Sequence, residues 1–337
     1  MSTFEIRSYG YNYRMPISRH LNILFIITLF SASPAVSSET LEQVCQEYRQ
    51  DPVELISPAE NQNEYRQNEN QSDDFSSGLL WKIETPTGQS NYLFGTMHSQ
   101  DRVVAQFPPH VRLALAKSQP FIIESVLTEE SNKVFFDSIF FKDGELLSDM
   151  ISPPVYHYLQ QVLPDYGVPV EKIPKLKPWA AFTLMGRPKP VNAKTLDMLL
   201  LDTARSLNKT IISLENMQEL IEPMQNLSAD DQINILNDTV CNHRQIIKDS
   251  WELVQLYLAR DLAGMMAFNN QAHFDEDVFD RYIQGILYDR NERMLKRIIP
   301  YLNDGSAFIA VGALHLAGEK GLLKTLKKKN YKITRVY

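Results

Sequence analysis

Apolar residues recur along this chain with two different spacings, and each spacing predicts its own kind of secondary structure. Residues 79–84 and 91–94 are rich in large apolar side chains and flank a turn at 86–88, which predicts a β-hairpin. Shorter apolar runs predict four further strands, at 121–123, 211–214, 307–311 and 331–336. The run at 307–311 is apolar throughout, as in a strand covered on both faces, and 211–214 also reads as buried.

Helical spacing, with apolar residues three or four positions apart, predicts helices between these strands. They lie at about 109–117, 153–163, 178–185, 196–207, 230–258, 278–302 and 318–329. Strands separated by helices at both ends of the chain, with a helical middle, indicate an α/β (α+β) fold. We therefore predict a domain over 79–337 with a central sheet, flanking helices and a large helical insertion at about 140–300.

The first 38 residues have the layout of a secretory signal peptide. Arg14 and Arg19 precede an apolar run at 21–30, and small residues follow at 31–38. The run is shorter than the roughly 20 apolar residues that a membrane span needs. We therefore expect cleavage at the end of this stretch, no stable membrane span in the product, and a secreted or periplasmic protein.

Residues 39–78 are predicted to form an N-terminal arm. Polar residues dominate 61–77, so we expect part of the arm to be disordered. The arm contains Cys45, and the chain's other cysteine is Cys241. In an oxidising compartment the two can form a disulfide that ties the arm to a distant helix, or they can be two unrelated thiols.

The charge of the chain limits the classes of partner that it is expected to bind. The formal net charge is -7, with 44% hydrophobic and 22% charged residues. These proportions are ordinary for a globular protein, and the acidic balance argues against a nucleic-acid partner.

The candidate chemistry lies where the predicted strands end. Gly95 and Gly312 each precede a histidine by three residues, His98 and His315, at the exit of an apolar strand. Two more predicted strands end in carboxylates, Glu124 and Glu215. Ligands of α/β sheets gather beyond the strand ends, and imidazole with carboxylate suits a divalent cation such as Zn, Mn or Co. A histidine at a strand end can also serve packing alone, and the spacing leaves both interpretations open.

Several segments, in this order, resemble the TraB/GumN family, which includes metal-dependent proteases. They are Leu-Phe-Gly-Thr-Met-His at 93–98, Ile-Glu at 123–124, Lys-Pro-Trp-Ala at 177–180, Leu-Glu at 214–215, Arg-Asn-Glu-Arg-Met at 290–294 and Val-Gly-Ala-Leu-His-Leu-Ala-Gly-Glu-Lys-Gly at 311–321. The resemblance implies a fold related to the erythromycin-esterase and ChaN haem-binding group.

The resemblance also implies roles for single residues. The family's two motif histidines fall on His98 and His315 and its strand-end acid on Glu124, which together would bind a divalent metal (Mn, Co or Zn). Glu124 is in addition a candidate catalytic residue.

Further family positions fall on polar residues that are candidates for catalysis. The Arg-Asn pair falls on Arg290 and Asn291, which would orient a carbonyl or a carboxylate, and the Leu-Glu element places Glu215. The resemblance places another acid at Asp197. We expect the neighbouring Glu292 and Arg293 to be solvated helix charges.

The activity implied is hydrolysis of a peptide or other acyl bond, on a peptide or small-molecule substrate. The alternative is a non-catalytic protein that uses the same pocket to bind a peptide or haem. A fold hosts many functions, so the resemblance alone does not separate the two.

Overall fold

The computed structural model describes residues 39–46, 48, 75–270 and 275–337. The predicted signal peptide and most of the predicted disordered arm lie outside the described residues, so both stay predictions. The boundaries proposed for the domain and its helical insertion also stay predictions.

A six-stranded mixed sheet is the centre of the fold and confirms the predicted α/β class. The strands are β1 (Leu80–Glu84), β2 (Ser90–Thr96), β3 (Phe121–Ile123), β4 (Ile211–Ser213), β5 (Phe308–Gly312) and β6 (Lys332–Arg335). Their order is β4-β3-β5-β2-β1-β6. The first four strands in this order are parallel, while β1 pairs antiparallel with both β2 and β6.

The order of the strands explains how deeply each strand is buried. The strands β3 and β5 lie in the interior of the sheet, and their apolar residues are buried, as the continuous runs predicted. In contrast, β4 is an edge strand and its residues are half-buried or exposed. The prediction of a fully buried strand at 211–214 is therefore wrong for β4 itself, because an edge strand has a neighbour on one side only.

Helices cover the sheet and form most of the chain between β3 and β5. They are α1 (Leu41–Val44), α2 (Pro109–Lys117), α3 (Glu129–Ser138), α4 (Pro153–Val162), α5 (Pro178–Met185), α6 (Leu196–Ser206), α7 (Met217–Gln225), α8 (Ala229–Leu258), α9 (Leu262–Asn269), α10 (Glu276–Ile283), α11 (Arg290–Asp304), α12 (Ala313–Leu316) and α13 (Leu322–Lys328). Short 3-10 turns lie at Leu147–Asp149, Leu163–Tyr166 and Val170–Lys175.

Two apolar cores result. One core surrounds the sheet and includes Phe94, Phe121 and Phe308. The other lies among the helices of the middle of the chain and includes Trp179 and Leu236. Each aromatic or aliphatic side chain that is fully buried contributes about 1.5–3 kcal/mol relative to exposure, so both cores are substantial.

Two helical predictions need correction. The helix predicted at 278–302 contains a π-helical segment, Gln284–Asp289, between α10 and α11. The helix predicted from about residue 318 begins at Leu322 instead. Gly318 has a positive φ of 76°, a backbone conformation that interrupts a right-handed helix.

The beginning of the predicted arm is joined covalently to the helical core. Cys45 and Cys241 form a disulfide with a Cα–Cα distance of 5.3 Å, across 196 residues of chain. This finding decides between the two interpretations of the cysteine pair. Tyr48 is buried beside the disulfide, and Asn237 Nδ2 donates to its hydroxyl at 3.1 Å.

Across the part of the chain that the structure describes, no helix combines the length and the apolar composition that crossing a membrane requires.

Candidate active site

A cavity of about 340 Å³ lies beyond the carboxyl ends of β2, β3 and β5. This is where ligands of parallel sheets bind. Its polar lining consists of Thr96, His98, Glu124, Asp197, Asn269, Arg290 and His315. The structure therefore brings four of the six predicted site residues to one cavity. The other two, Glu215 and Asn291, do not line it, but each contacts a residue that does.

His315 lies on α12 and is 5% exposed. Its Nδ1 is 2.7 Å from Asn291 Oδ1, and Asn291 Nδ2 donates to the carbonyl of Lys320 at 3.0 Å. Because that donation directs Oδ1 towards the ring, Nδ1 carries the proton and Nε2 keeps its lone pair. Asn291 therefore sets the tautomer of His315.

The charge state of His315 follows from its burial. Desolvation, reinforced by the Arg290 cation, lowers the pKa of His315 to about 4, although Glu124 acts in the opposite direction. The ring is consequently neutral near pH 7, the form that binds a metal or accepts a proton.

Glu124 follows β3 and faces His315 across 3.6 Å, from Oε1 to Nε2. Its Oε2 accepts from Arg290 Nη2 at 2.9 Å, and its Oε1 accepts from the Gly312 N–H. Burial alone would raise the pKa of Glu124, but His315, Arg290 and the Gly312 N–H together lower it. Since His315 is neutral near pH 7, Arg290 and the backbone N–H keep Glu124 ionised there.

Arg290 joins Glu124 to a second, deeper acid. Its Nε and Nη2 donate to Glu215 Oε2 at 3.0 and 2.8 Å. The Glu215 side chain is fully buried, and Arg293 Nη1 donates to its other oxygen at 2.8 Å. The expectation that Arg293 is a solvated charge is therefore wrong. Arg293 lies three residues after Arg290, on the same face of α11.

His98 has a different environment. Its side chain is 65% exposed, and Nδ1 is 3.5 Å from Asp197 Oδ2. Thr96 donates to the other oxygen of Asp197 at 2.6 Å, while Oδ2 is buried without a hydrogen-bond partner. The adjacent Asp197 carboxylate raises the pKa of His98, against the effect of desolvation.

The glycines of the two Gly-x-x-His segments allow close approach of the backbone. A Cβ on Gly95 would lie 2.8 Å from Leu316 Cδ1 and 3.1 Å from Ala313 Cα. A Cβ on Gly312 would lie 3.2 Å from Glu124 Oε1. All three contacts are tighter than a side chain normally tolerates, so glycine at these positions keeps α12 and Glu124 against the sheet.

The cavity offers two pairs of side chains whose atoms suit a divalent cation. These pairs are His315 with Glu124 and His98 with Asp197. His315 offers a neutral Nε2, and Asp197 offers a buried oxygen that makes no hydrogen bond and lies 3.5 Å from His98 Nδ1; imidazole and carboxylate are accepted ligands of Mn, Co and Zn. Among the described residues, no three His, Cys, Asp or Glu side chains are placed to share one ion. The set of His98, His315 and Glu124 therefore stays a prediction.

Sequence reasoning found the histidines, Glu124 and Glu215 but not all of the polar residues around them. Thr96 and Arg293 were missed, and Asp197 was placed only by resemblance. One signal was available for the arginine. Arg290, Arg293 and Arg297 recur at helical spacing, so a single face of α11 carries all three.

Comparison with known proteins gives relatives of this chain. Metalloprotease TIKI1 of Danio rerio is 24% identical over 322 residues, which are 80% of this chain and 64% of the relative. Metalloprotease TIKI2 of Xenopus tropicalis is 23% identical, with 76% and 59% covered. Metalloprotease TIKI1 of Homo sapiens is 23% identical, with 76% and 61% covered.

The chain spans about 60% of the length of these relatives. No solved structure matches the chain, so the likeness to the erythromycin-esterase and ChaN group stays an expectation. The family model described as TraB/PrgY/gumN family matches residues 79–335, more than half of the chain. The protein therefore belongs to the TraB/PrgY/gumN family.

Proposed function

We propose that this protein is a metal-dependent hydrolase that cleaves peptide bonds in the cavity beyond β2, β3 and β5. The observation that carries the proposal is His315, a buried neutral imidazole whose lone pair is directed by Asn291 into a cavity shared with His98. The relatives named as metalloproteases support the same chemistry.

Each of the chain's own residues has a separate role in the proposed reaction. His98, His315 and Glu124 would hold the ion, which supplies an activated water and polarises the substrate carbonyl. Glu124, kept ionised by Arg290, would accept a proton from the attacking water if its carboxylate stays off the ion. Arg290 and Asn291 are positioning residues, since the first fixes Glu124 and the second fixes the His315 ring.

We also propose that the protein works outside the cytoplasm, as a secreted or periplasmic enzyme. The signal-peptide layout of residues 1–38 supports this location. The Cys45–Cys241 disulfide adds support, because disulfides persist in oxidising compartments. The partner is a peptide or small-molecule substrate rather than nucleic acid, in keeping with the net charge of -7.

Metal content tests the proposal directly. We expect about one equivalent of Mn, Co or Zn in the purified protein, lost in His98→Ala and in His315→Ala. His157→Ala is the matched control, because His157 is exposed on α4 and does not line the cavity. Retention of the metal in both cavity variants would contradict the proposed site.

Turnover is tested separately from metal binding. Peptide mixtures are incubated with the protein, with and without a chelator, and the products are identified by mass spectrometry. Cleavage that stops with chelator and returns with added metal supports the hydrolase. Peptide binding without cleavage, or the absorbance of bound haem, would instead support the non-catalytic alternative.

A further inference from the structure

The cavity has two unlike sides. Its polar groups, apart from Arg290 and Asn269, come from the end of β2, from the segments that directly follow β2, β3 and β5, and from Asp197 on α6. The opposite side, formed by α8, α9, α10 and the π-helical segment, is largely apolar. We call this side the apolar wall; it consists of Leu253, Met265, Ile283, Ile286 and Leu287.

Part of the apolar wall lies on the π-helical segment, next to the reactive groups. Ile286 and Leu287 belong to this segment, and Arg290 follows it directly. The carbonyl of Ile286 accepts from Arg290 Nη1 at 3.2 Å, so the same guanidinium binds Glu124 and the backbone of the wall. π-helical turns are rare and occur frequently at functional sites.

The charges of the cavity select against an acidic occupant. Glu124 and Asp197 contribute two carboxylates, and Arg290 already donates to Glu124 and to Glu215. A substrate carboxylate at the wall would therefore lose its water without gaining a cationic side chain, which is costly, because Arg290 is already paired with both acids. An apolar side chain, in contrast, gains free energy from the same burial.

We propose that the apolar wall is a substrate side-chain subsite. It binds a large apolar side chain, such as Leu, Met or Phe, of a peptide whose scissile bond lies at His315 and Glu124. The volume of about 340 Å³ is at the lower end of the range for small-ligand sites, about 300–1,000 Å³. It admits one large side chain and the atoms around the bond. This subsite rests on the proposed function, since it assigns the specificity of the same cavity.

The test compares peptides that differ at one position. The cleaved bond is first located by mass spectrometry, and the residues on each side of it are then replaced in turn by Leu, Phe, Ala, Asp or Lys. We expect kcat/KM at one of the two positions to be at least about 10-fold higher for Leu or Phe than for Ala, since even a single additional buried methylene changes kcat/KM by about 10–200-fold. Asp should be the poorest residue there.

Variants connect this preference to the wall. Leu253→Ala and Ile286→Ala each remove a half-buried wall side chain. We expect the Leu-to-Ala ratio of kcat/KM to fall at least fivefold in each. Ile247→Ala, also half-buried on α8 but outside the cavity, is the matched control and should keep the ratio. An unchanged ratio in both folded wall variants, or equal rates for Leu, Ala and Asp peptides in the unaltered protein, overturns the subsite and leaves the hydrolase intact.

Absence of all cleavage contradicts the hydrolase, and binding then decides on the subsite. A peptide that binds is selected from the mixture, each of its positions is replaced in turn by Leu or Ala, and the peptides, labelled with a fluorophore, are titrated with the unaltered protein and followed by anisotropy. A Kd at least tenfold lower for the Leu than for the Ala peptide, lost in Leu253→Ala, supports the subsite. Equal Kd values overturn it.

Discussion

The two Gly-x-x-His segments have the same spacing and a similar position after a strand, yet their histidines differ in almost every physical respect. His98 is 65% exposed and is paired with a carboxylate. His315 is 5% exposed and is bound by an amide. The acid raises the pKa of His98, whereas burial lowers that of His315 to about 4.

The contrast shows that a motif specifies where a side chain lies, but the neighbours specify its protonation. The second segment continues into the one-turn helix α12, which turns the ring inward. The first segment has no such helix and leaves its ring at the mouth of the cavity. One histidine is thus available as a neutral ligand near pH 7, and the other gives up a proton less readily.

The largest effect is expected from Glu215, the buried acid that binds both Arg290 and Arg293. Glu215→Ala should lower the free energy of unfolding by about 3–5 kcal/mol, because it leaves Arg290 and Arg293 facing a buried space without their carboxylate. Urea unfolding followed by circular dichroism measures the change. The exposed Glu222→Ala on α7 is the control and should change stability by less than about 0.5 kcal/mol. A loss for Glu215→Ala as small as that of the control would contradict the ion network.

The second largest effect is expected from lowering the pH of the metal-free protein, because the free energy of unfolding should depend on the protonation of His315. The pKa of His315 is about 4 in the folded state against an ordinary value of 6.5, so the unfolded chain binds more protons between these values. Stability from this group is complete above pH 6.5 and falls as the pH drops towards 4, by on the order of 3 kcal/mol. Unfolding is measured with chelator from pH 4 to 8. His315→Asn should have a flatter profile, and an equally steep one would contradict the assignment.

The third largest effect is expected from Asn291, whose side-chain amide orients the His315 ring. Asn291→Ala removes the acceptor at Nδ1, so the ring can rotate or change tautomer. We expect metal affinity to fall about 10–100-fold, as for other partners that orient a ligand. Isothermal titration with Mn²⁺ or Co²⁺ measures the affinity, and Asn291→Asp, which keeps an acceptor, should retain more of it. Full affinity in Asn291→Ala would contradict the orienting role.

The smallest effect is expected at the exposed histidine. Asp197→Asn removes the carboxylate that raises the pKa of His98, so this pKa should fall while that of His315 does not change. Stability should decrease by less than about 1 kcal/mol, because His98 is largely exposed. NMR titration of the histidine ring protons follows both groups at once. An unchanged titration of His98 would show that Asp197 does not control it.

Strands and their ends could be predicted from the sequence because buried strands are continuous runs of apolar residues. The run at 307–311 is apolar at each position, and β5 is buried as expected. The convergence of His98, Glu124 and His315 on one cavity followed from the rule that parallel strands end at the same edge of a sheet.

The local geometry around the site could not be predicted in the same way. The π-helical segment at Gln284–Asp289 has the same apolar spacing as an ordinary helix, so periodicity alone does not reveal it. The pairing of Arg293 with Glu215 depends on which face of α11 lies against the segment that follows β4, a tertiary contact between residues 78 positions apart. The half-burial of β4 depends on strand order, which apolar content does not encode.

The bond between Cys45 and Cys241 closes a covalent ring that encloses β1 to β4 and the helices between them. A single backbone cut anywhere within that ring opens it without dividing the molecule. The cut chain migrates as one species on a non-reducing gel and separates into two fragments only after a thiol is added.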